Sequence, residues 1–167
     1  MKFIKDFFIR RSIKRDSIKN IKLLHPRYQW SIVYDVSTEP YIDRLKKKLQ
    51  KEFQCKEHNI RTIGIQEKDK SLDYLNYDSF DLLGNLNSKY FDVELIDSCE
   101  YLIFYTENEH LFHKYLQNRI KNNLQIGLNS YQLDHDLTIS VDAKETDSFV
   151  TELKNYLSKI KFKNEAV

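Results

Sequence analysis

Asp35-Val36-Ser37-Thr38 closes the apolar run Trp30-Ser31-Ile32-Val33-Tyr34, and Thr106-Glu107 closes a second run, Tyr101-Leu102-Ile103-Phe104-Tyr105. A carboxylate at a strand end can hold a magnesium ion or act as a base, and hydroxyls at the start of a helix can donate to a phosphate. If both runs are strands of one doubly wound sheet, their carboxyl ends fall where such sheets bind ligands. Asp35, Ser37, Thr38, Thr106 and Glu107 are therefore the ligand-binding candidates, with capping of the next helix as the plainer role for Ser37 or Thr38. His110 and His113 stand three apart beside Glu107 and Glu109, a spacing at which two imidazoles could share a metal. Without further clustered ligands they read as two partly exposed helix residues, and no metal or cofactor is expected. Asp134-His135-Asp136 resembles a fragment of an acid–base relay, yet no nucleophile can be assigned to it and no residue is named as catalytic.

Charge supplies the other chemistry. Residues 1–27 carry nine Lys and Arg against Asp6 and Asp16, a local charge of +7, which leaves −5 on the rest of a chain whose total is only +2. Such asymmetry points to a basic arm meeting an anionic partner. The candidates for nucleic-acid contact are Lys2, Lys5, Arg10, Arg11, Lys14, Arg15, Lys19 and Lys22. On a helical wheel the apolar line through Ile4, Phe7 and Phe8 continues at Arg11, Lys14 and Arg15, then at Ile18, Ile21 and Lys22. A helix packed along that whole line would press three cations into its own contact stripe, which is costly unless they pair or snorkel. Two outcomes are expected: short helices over 3–9 and 17–24 bent around Ser12, or a central turn that presents Arg10, Arg11, Lys14 and Arg15 outward.

Composition narrows the classes. The 167 residues suffice for one domain of 28–167 behind a helical arm of 1–27. No apolar run approaches the roughly 20 residues that span a bilayer, and Phe7-Phe8-Ile9 is too short for a secretory leader, so a cytoplasmic location is expected. Three glycines cannot build a dinucleotide or Walker-type phosphate loop. Cys55 and Cys99 lack the spacing of a zinc or redox pair and read as two buried free thiols.

The elements that must position these residues follow from periodicity. The run at Trp30 is a buried strand, and Tyr41, Ile42, Leu45, Leu49 and Phe53 recur at helical spacing after it. Residues 59–65, 101–105, 124–128 and 136–142 read as further strands. Thr106 would cap a helix with Leu111, Phe112, Tyr115, Leu116 and Ile120 on its stripe. A closing helix carries Phe149, Val150, Leu153, Tyr156, Leu157 and Ile160. Residues 67–98 mix charges and turn formers, with room for a short strand, a loop and a helix over 88–96. Tyr41, Tyr115 and Tyr156 read as helix contacts with the sheet, whereas Tyr74, Tyr77, Tyr90 and Tyr131 are candidates for exposure. Strands alternating with amphipathic helices predict an α/β fold: a small, mostly parallel, Rossmann-like three-layer sheet of about five strands with a basic N-terminal helical arm.

The basic N-terminal helix, the Tyr101-Leu102-Ile103, Ile126-Gly127 and Asp136-Leu137-Thr138-Ile139 strands, and the closing Phe149, Leu153, Tyr156-Leu157 helix resemble an uncharacterised domain family of Bacteroidota-type bacteria. The resemblance runs along the chain. It implies a fold and a bacterial setting and brings no catalytic residues. The functional expectation is a non-enzymatic module that docks its basic helix on RNA or a ribonucleoprotein, with the ribosome as one setting. The alternatives are a small nucleotide- or metal-dependent enzyme at the strand ends near Asp35 and Thr106, and an adaptor on an anionic membrane or a protein complex.

Overall fold

A computed structural model describes residues 2–15, 23, 25–66, 74–129 and 135–165. Among these residues four α-helices and six strands follow one another as α1 (Lys2–Arg15), β1 (Tyr28–Asp35), α2 (Glu39–Phe53), β2 (Ile60–Ile65), β3 (Tyr74–Leu75), β4 (Cys99–Tyr105), α3 (Leu111–Arg119), β5 (Asn122–Leu128), β6 (Leu137–Ile139) and α4 (Thr146–Glu165). Every pairing between these strands is parallel, in the order β3-β2-β1-β4-β5-β6. The strand added to the expected five is β3, whose two residues pair with Gly64 and Ile65. Strands this short leave little periodicity to read.

Alternation along the central strands divides the core. From β1, Trp30, Ile32 and Tyr34 join α2 and α4 on one face, whereas Val33 joins α1, α3 and Phe80, Phe91 and Leu95 on the other. Because both faces are covered, the strands read as continuous apolar runs. On the first face Lys154 pairs with Glu52 at 2.9 Å and Arg44 pairs with Asp147, so α2 and α4 are tied together at their rims. Of the closing stripe, Phe149, Val150, Leu153 and Leu157 are buried while Tyr156 and Ile160 are exposed.

Three local expectations are corrected. Residues 88–96 form no α-helix; they hold turns and a 3-10 segment at Val93–Ile96. Asn87 accepts from Lys89 N and Asp92 from Glu94 N, each at 3.0 Å, so side chains take the amides that a helix would use. Thr106 does not cap α3, which begins five residues later with His110 at the cap position. Of the two thiols only Cys99 is buried, with its pKa pushed up to about 12 by desolvation; Cys55 is half-buried, and both are free.

Helix α1 runs unbroken through Ser12, whose Oγ donates to Ile9 O at 2.8 Å, so no break between two short helices falls there. The expected second segment, 17–24, lies outside the described residues except for Leu23. The face that packs is set by Lys5, Ile9, Ser12 and Ile13, with Ile9 fully buried against the α3 side of the sheet. Gly84, at φ +79°, lets the turn after Phe80 pass beneath the helix. A Cβ there would stand 2.8 Å from the Phe8 carbonyl carbon, which is closer than any side chain tolerates.

Candidate functional site

The reversal of strand order lies between β1 and β4, and the ends of those strands are locked together by the motif that follows β1. Asp35 is buried. Its Oδ1 accepts from Ser37 N at 3.0 Å, Ser37 Oγ at 2.5 Å and Thr38 N at 3.2 Å. Thr38 occupies the cap position of α2 without a capping bond; its Oγ1 instead donates to Tyr105 O at 2.6 Å, across to the end of β4. The motif is thus a turn that closes on itself and pins two strands, which already employs Ser37 and Thr38. What remains open is Asp35 Oδ2, buried and without a hydrogen-bond partner among the described residues.

His113 faces the same region. The reading of a partly exposed helix residue is corrected, since its side chain is completely buried. Sequence reasoning passed over the signal: His113 precedes Leu116 by three residues and Ile120 by seven, which puts it on the apolar stripe of α3. The ring packs edge-on to Phe104 at 5.7 Å, and Nδ1 accepts from the His110 backbone N–H at 3.1 Å. Burial, reinforced by His110 and His135, depresses its pKa to about 3 against an opposing pull from Asp35, so the ring is neutral at physiological pH. With Nδ1 accepting, the one ring proton belongs on Nε2, which has no hydrogen-bond partner among the described residues.

Beside this ring a small cleft opens between the ends of β4 and β5. Phe104 and Leu128 supply apolar wall, and Thr106, Asn108, Glu109, Asn129 and His135 supply polar groups. His135 stacks on Phe104 at 5.3 Å and lies flat over Gly127, where a Cβ would approach its Cδ2 to 2.1 Å. Glu107 is exposed and does not line the cleft. The strand-end candidates are therefore only partly gathered: Asp35, Thr38 and Thr106 are buried at the carboxyl ends of the central strands β1 and β4, and Ser37 and Glu107 face solvent. Among the described residues no three His, Cys, Asp or Glu converge on a metal position.

The basic helix distributes its cations unevenly. Lys5 is half-buried, its Nζ donating to Tyr77 O at 3.0 Å, and Lys2 lies over the Tyr77 ring at 4.8 Å. Arg10 is exposed and pairs with Asp6 one turn earlier at 2.7 Å. Arg11 is exposed, with no carboxylate partner among the described residues. Lys14 and Arg15 continue the helical backbone, and Lys19 and Lys22 lie outside the described residues. Beside Arg10 and Arg11 the helix exposes Phe3 (85%), Ile4 (50%) and Phe7 (57%), and Leu82 and Leu83 on the turn under Phe8 are exposed as well. The apolar line expected to hold the helix down is thus largely its outer surface. Of the tyrosines, Tyr115 is buried, Tyr74 and Tyr77 are half-buried against the core, Tyr90 is exposed and Tyr131 lies outside the described residues.

Six parallel strands in this order, with helices on both faces, place the molecule in the Rossmann-like class of α/β proteins. Within that class the chain belongs to a family of unknown function, DUF6913, whose family model matches residues 3–160. No curated protein and no solved structure matches the chain. No helix among the described residues is long and apolar enough to cross a membrane.

Proposed function

We propose that this protein is a binding module that docks through α1 on an anionic surface, and that the surface is a lipid leaflet. The observation that carries this reading is the outer face of α1, where Phe3, Ile4 and Phe7 stand in water next to Arg10 and Arg11. A helix that lies in a bilayer interface combines these features: apolar side chains to enter the acyl boundary and cations to meet anionic headgroups. Leu82 and Leu83 extend the apolar area from the neighbouring turn, which is held against the helix at Gly84. RNA, ranked first on the sequence alone, would use the cations but has no need of Ile4, Leu82 or Leu83. Salt-dependent phosphate contacts are made by charge.

Near an anionic leaflet each Lys or Arg contributes about 1 kcal/mol, so removal of two weakens binding by about thirtyfold. Sedimentation of the full chain with phosphatidylglycerol-containing vesicles tests this, with pure phosphatidylcholine vesicles as the comparison. Binding is expected to anionic vesicles, to fall on Arg10→Gln/Arg11→Gln, and to fall independently on Phe3→Ser/Phe7→Ser. The last pair sits outside the core and leaves the fold intact. Binding to a mixed-sequence RNA without binding to vesicles, or vesicle binding indifferent to Phe3 and Phe7, overturns the lipid reading.

A further inference from the structure

The turn against which α1 rests carries two leucines at its tip. Phe80 and Leu86 close its base as an antiparallel bridge, and the Phe80 ring is buried against Phe112 at 5.8 Å and Tyr115 at 5.0 Å. Leu82 and Leu83 then stand in water at 52% and 64% exposure, and among the described residues they join neither core. Turn tips ordinarily take Gly, Pro, Asn, Asp or Ser, which supply the backbone angles or the local hydrogen bonds a turn needs. Leucine supplies neither, and it gains nothing from water.

The backbone of the tip is built to leave water. Asp81 Oδ1 accepts from Leu83 N at 2.8 Å and from Asn85 N at 2.9 Å, Asp81 O accepts from Gly84 N at 3.2 Å, and Asn85 O accepts from Asp81 N at 2.9 Å. Asp81 Oδ2 takes the Asn85 side-chain amide at 3.1 Å. An unpaired N–H is costly in an apolar phase, and here the amides of Asp81, Leu83, Gly84 and Asn85 are already paired within the tip. The same pairing leaves few backbone donors for a protein partner that would add a strand. Asp81 does bring one negative charge toward anionic headgroups. Arg11 on the adjoining helix, exposed and without a carboxylate partner among the described residues, offsets it.

We propose that the 81–85 turn is a second membrane anchor, which inserts Leu82 and Leu83 into the acyl boundary beside Phe3 and Phe7 and is held in shape for that by Asp81. This anchor rests on the lipid reading of α1 and fixes the pose in which α1 docks. Because Gly84 lies against the Phe8 backbone, turn and helix enter the leaflet together, with α1 still packed on the body.

The test uses the full chain with phosphatidylglycerol-containing vesicles, read by sedimentation and by quenching of tryptophan fluorescence from bromines on the acyl chains. Leu82→Ser/Leu83→Ser should weaken binding by about tenfold or more, because each side chain has roughly half its surface left to bury. Leu83→Trp should be quenched, whereas Tyr156→Trp on α4 and the native Trp30, which is buried on the α2 and α4 face, should not. Asp81→Asn keeps an acceptor for the Leu83 and Asn85 amides and should bind at least as tightly as the parent. Asp81→Ala removes the same charge together with the acceptor, and should bind several-fold more weakly than Asp81→Asn; charge alone predicts no difference between them. Equal binding by the parent and Leu82→Ser/Leu83→Ser, or no quenching of Leu83→Trp, overturns the anchor, and α1 docking survives that result if binding still depends on Phe3 and Phe7. Equal binding by the two Asp81 variants removes the part assigned to Asp81. A parent that ignores anionic vesicles removes the anchor and the α1 reading alike. A dimer in solution that Leu82→Ser/Leu83→Ser disperses, with vesicle binding unchanged, assigns the leucines to a second copy of the chain and overturns the anchor.

Discussion

Acid should expose the state of His113 in the stability of the whole molecule. In the unfolded chain its imidazole titrates near its ordinary value of about 6.5, and in the folded protein burial holds it to about 3. Between those values the unfolded state carries a proton that the native state refuses. Unfolding then takes up one proton, and stability falls as the solution is acidified by up to about 1.4 kcal/mol per pH unit. The penalty is absent above pH 6.5, and by pH 4.5 the loss from this one residue amounts to about 2–3 kcal/mol, a large share of the roughly 5–15 kcal/mol typical of a domain. The groups that face the ring are His110, His135 and Asp35, the first two opposing its protonation and Asp35 favouring it; none of them reverses the effect of burial. His113→Asn provides the comparison, because its side-chain oxygen can still accept from the His110 N–H while nothing at the position titrates. Urea unfolding of both proteins at pH 7.5 and pH 4.5 makes the measurement; carboxylates that titrate near the lower pH are common to both proteins and cancel in the difference. The stability difference between parent and variant should change by about 2–3 kcal/mol in favour of the variant on acidification. Parallel pH dependence, or a His113 resonance that titrates near pH 6.5, would refute the assignment of a neutral, desolvated imidazole.

Two further substitutions probe what holds the two surfaces in place. Gly84→Ala combines a strained left-handed backbone with a Cβ pressed on the α1 backbone at Phe8, and should cost about 1–3 kcal/mol. Amide exchange should show the loss concentrated in α1, and an unchanged α1 would mean that the turn does not seat the helix. Thr38→Val keeps the shape of the side chain but removes the donor to Tyr105 O, leaving a buried carbonyl unpaired. A decrease in urea midpoint equivalent to about 1–3 kcal/mol is expected, and a neutral result would show that the β1–β4 clasp contributes nothing.

Much of the fold was legible in the chain because central parallel strands are buried on both faces and flanked by amphipathic helices. The runs at Trp30 and Tyr101, the stripe from Ile42 to Leu49 and the closing stripe from Phe149 to Leu157 all announce themselves by period. Edge strand β3 did not, because two residues show no period, and neither did the 3-10 turns near Asn76 and Asp92, which are built from side chains bonded to nearby backbone amides rather than from a repeating face. The candidate site was legible in half. Strand-end chemistry pointed to Asp35, Thr38 and Thr106, but nothing in one sequence told that Thr38 spends its hydroxyl on Tyr105 O.

The sequence by itself determined the alternation of strand and helix, the segregation of positive charge into the first 27 residues and the exclusion of glycine-rich phosphate loops. Those are local properties, set by residue type and spacing. Tertiary structure alone decided that α1 packs through Lys5, Ile9 and Ile13 and leaves Phe3 and Phe7 in water, and that His113 is buried beside a carboxylate 78 positions earlier in the chain. Which face of a helix is covered depends on the surface that meets it, here Tyr77 and the turn at Gly84. A residue's own neighbours in sequence cannot specify that surface.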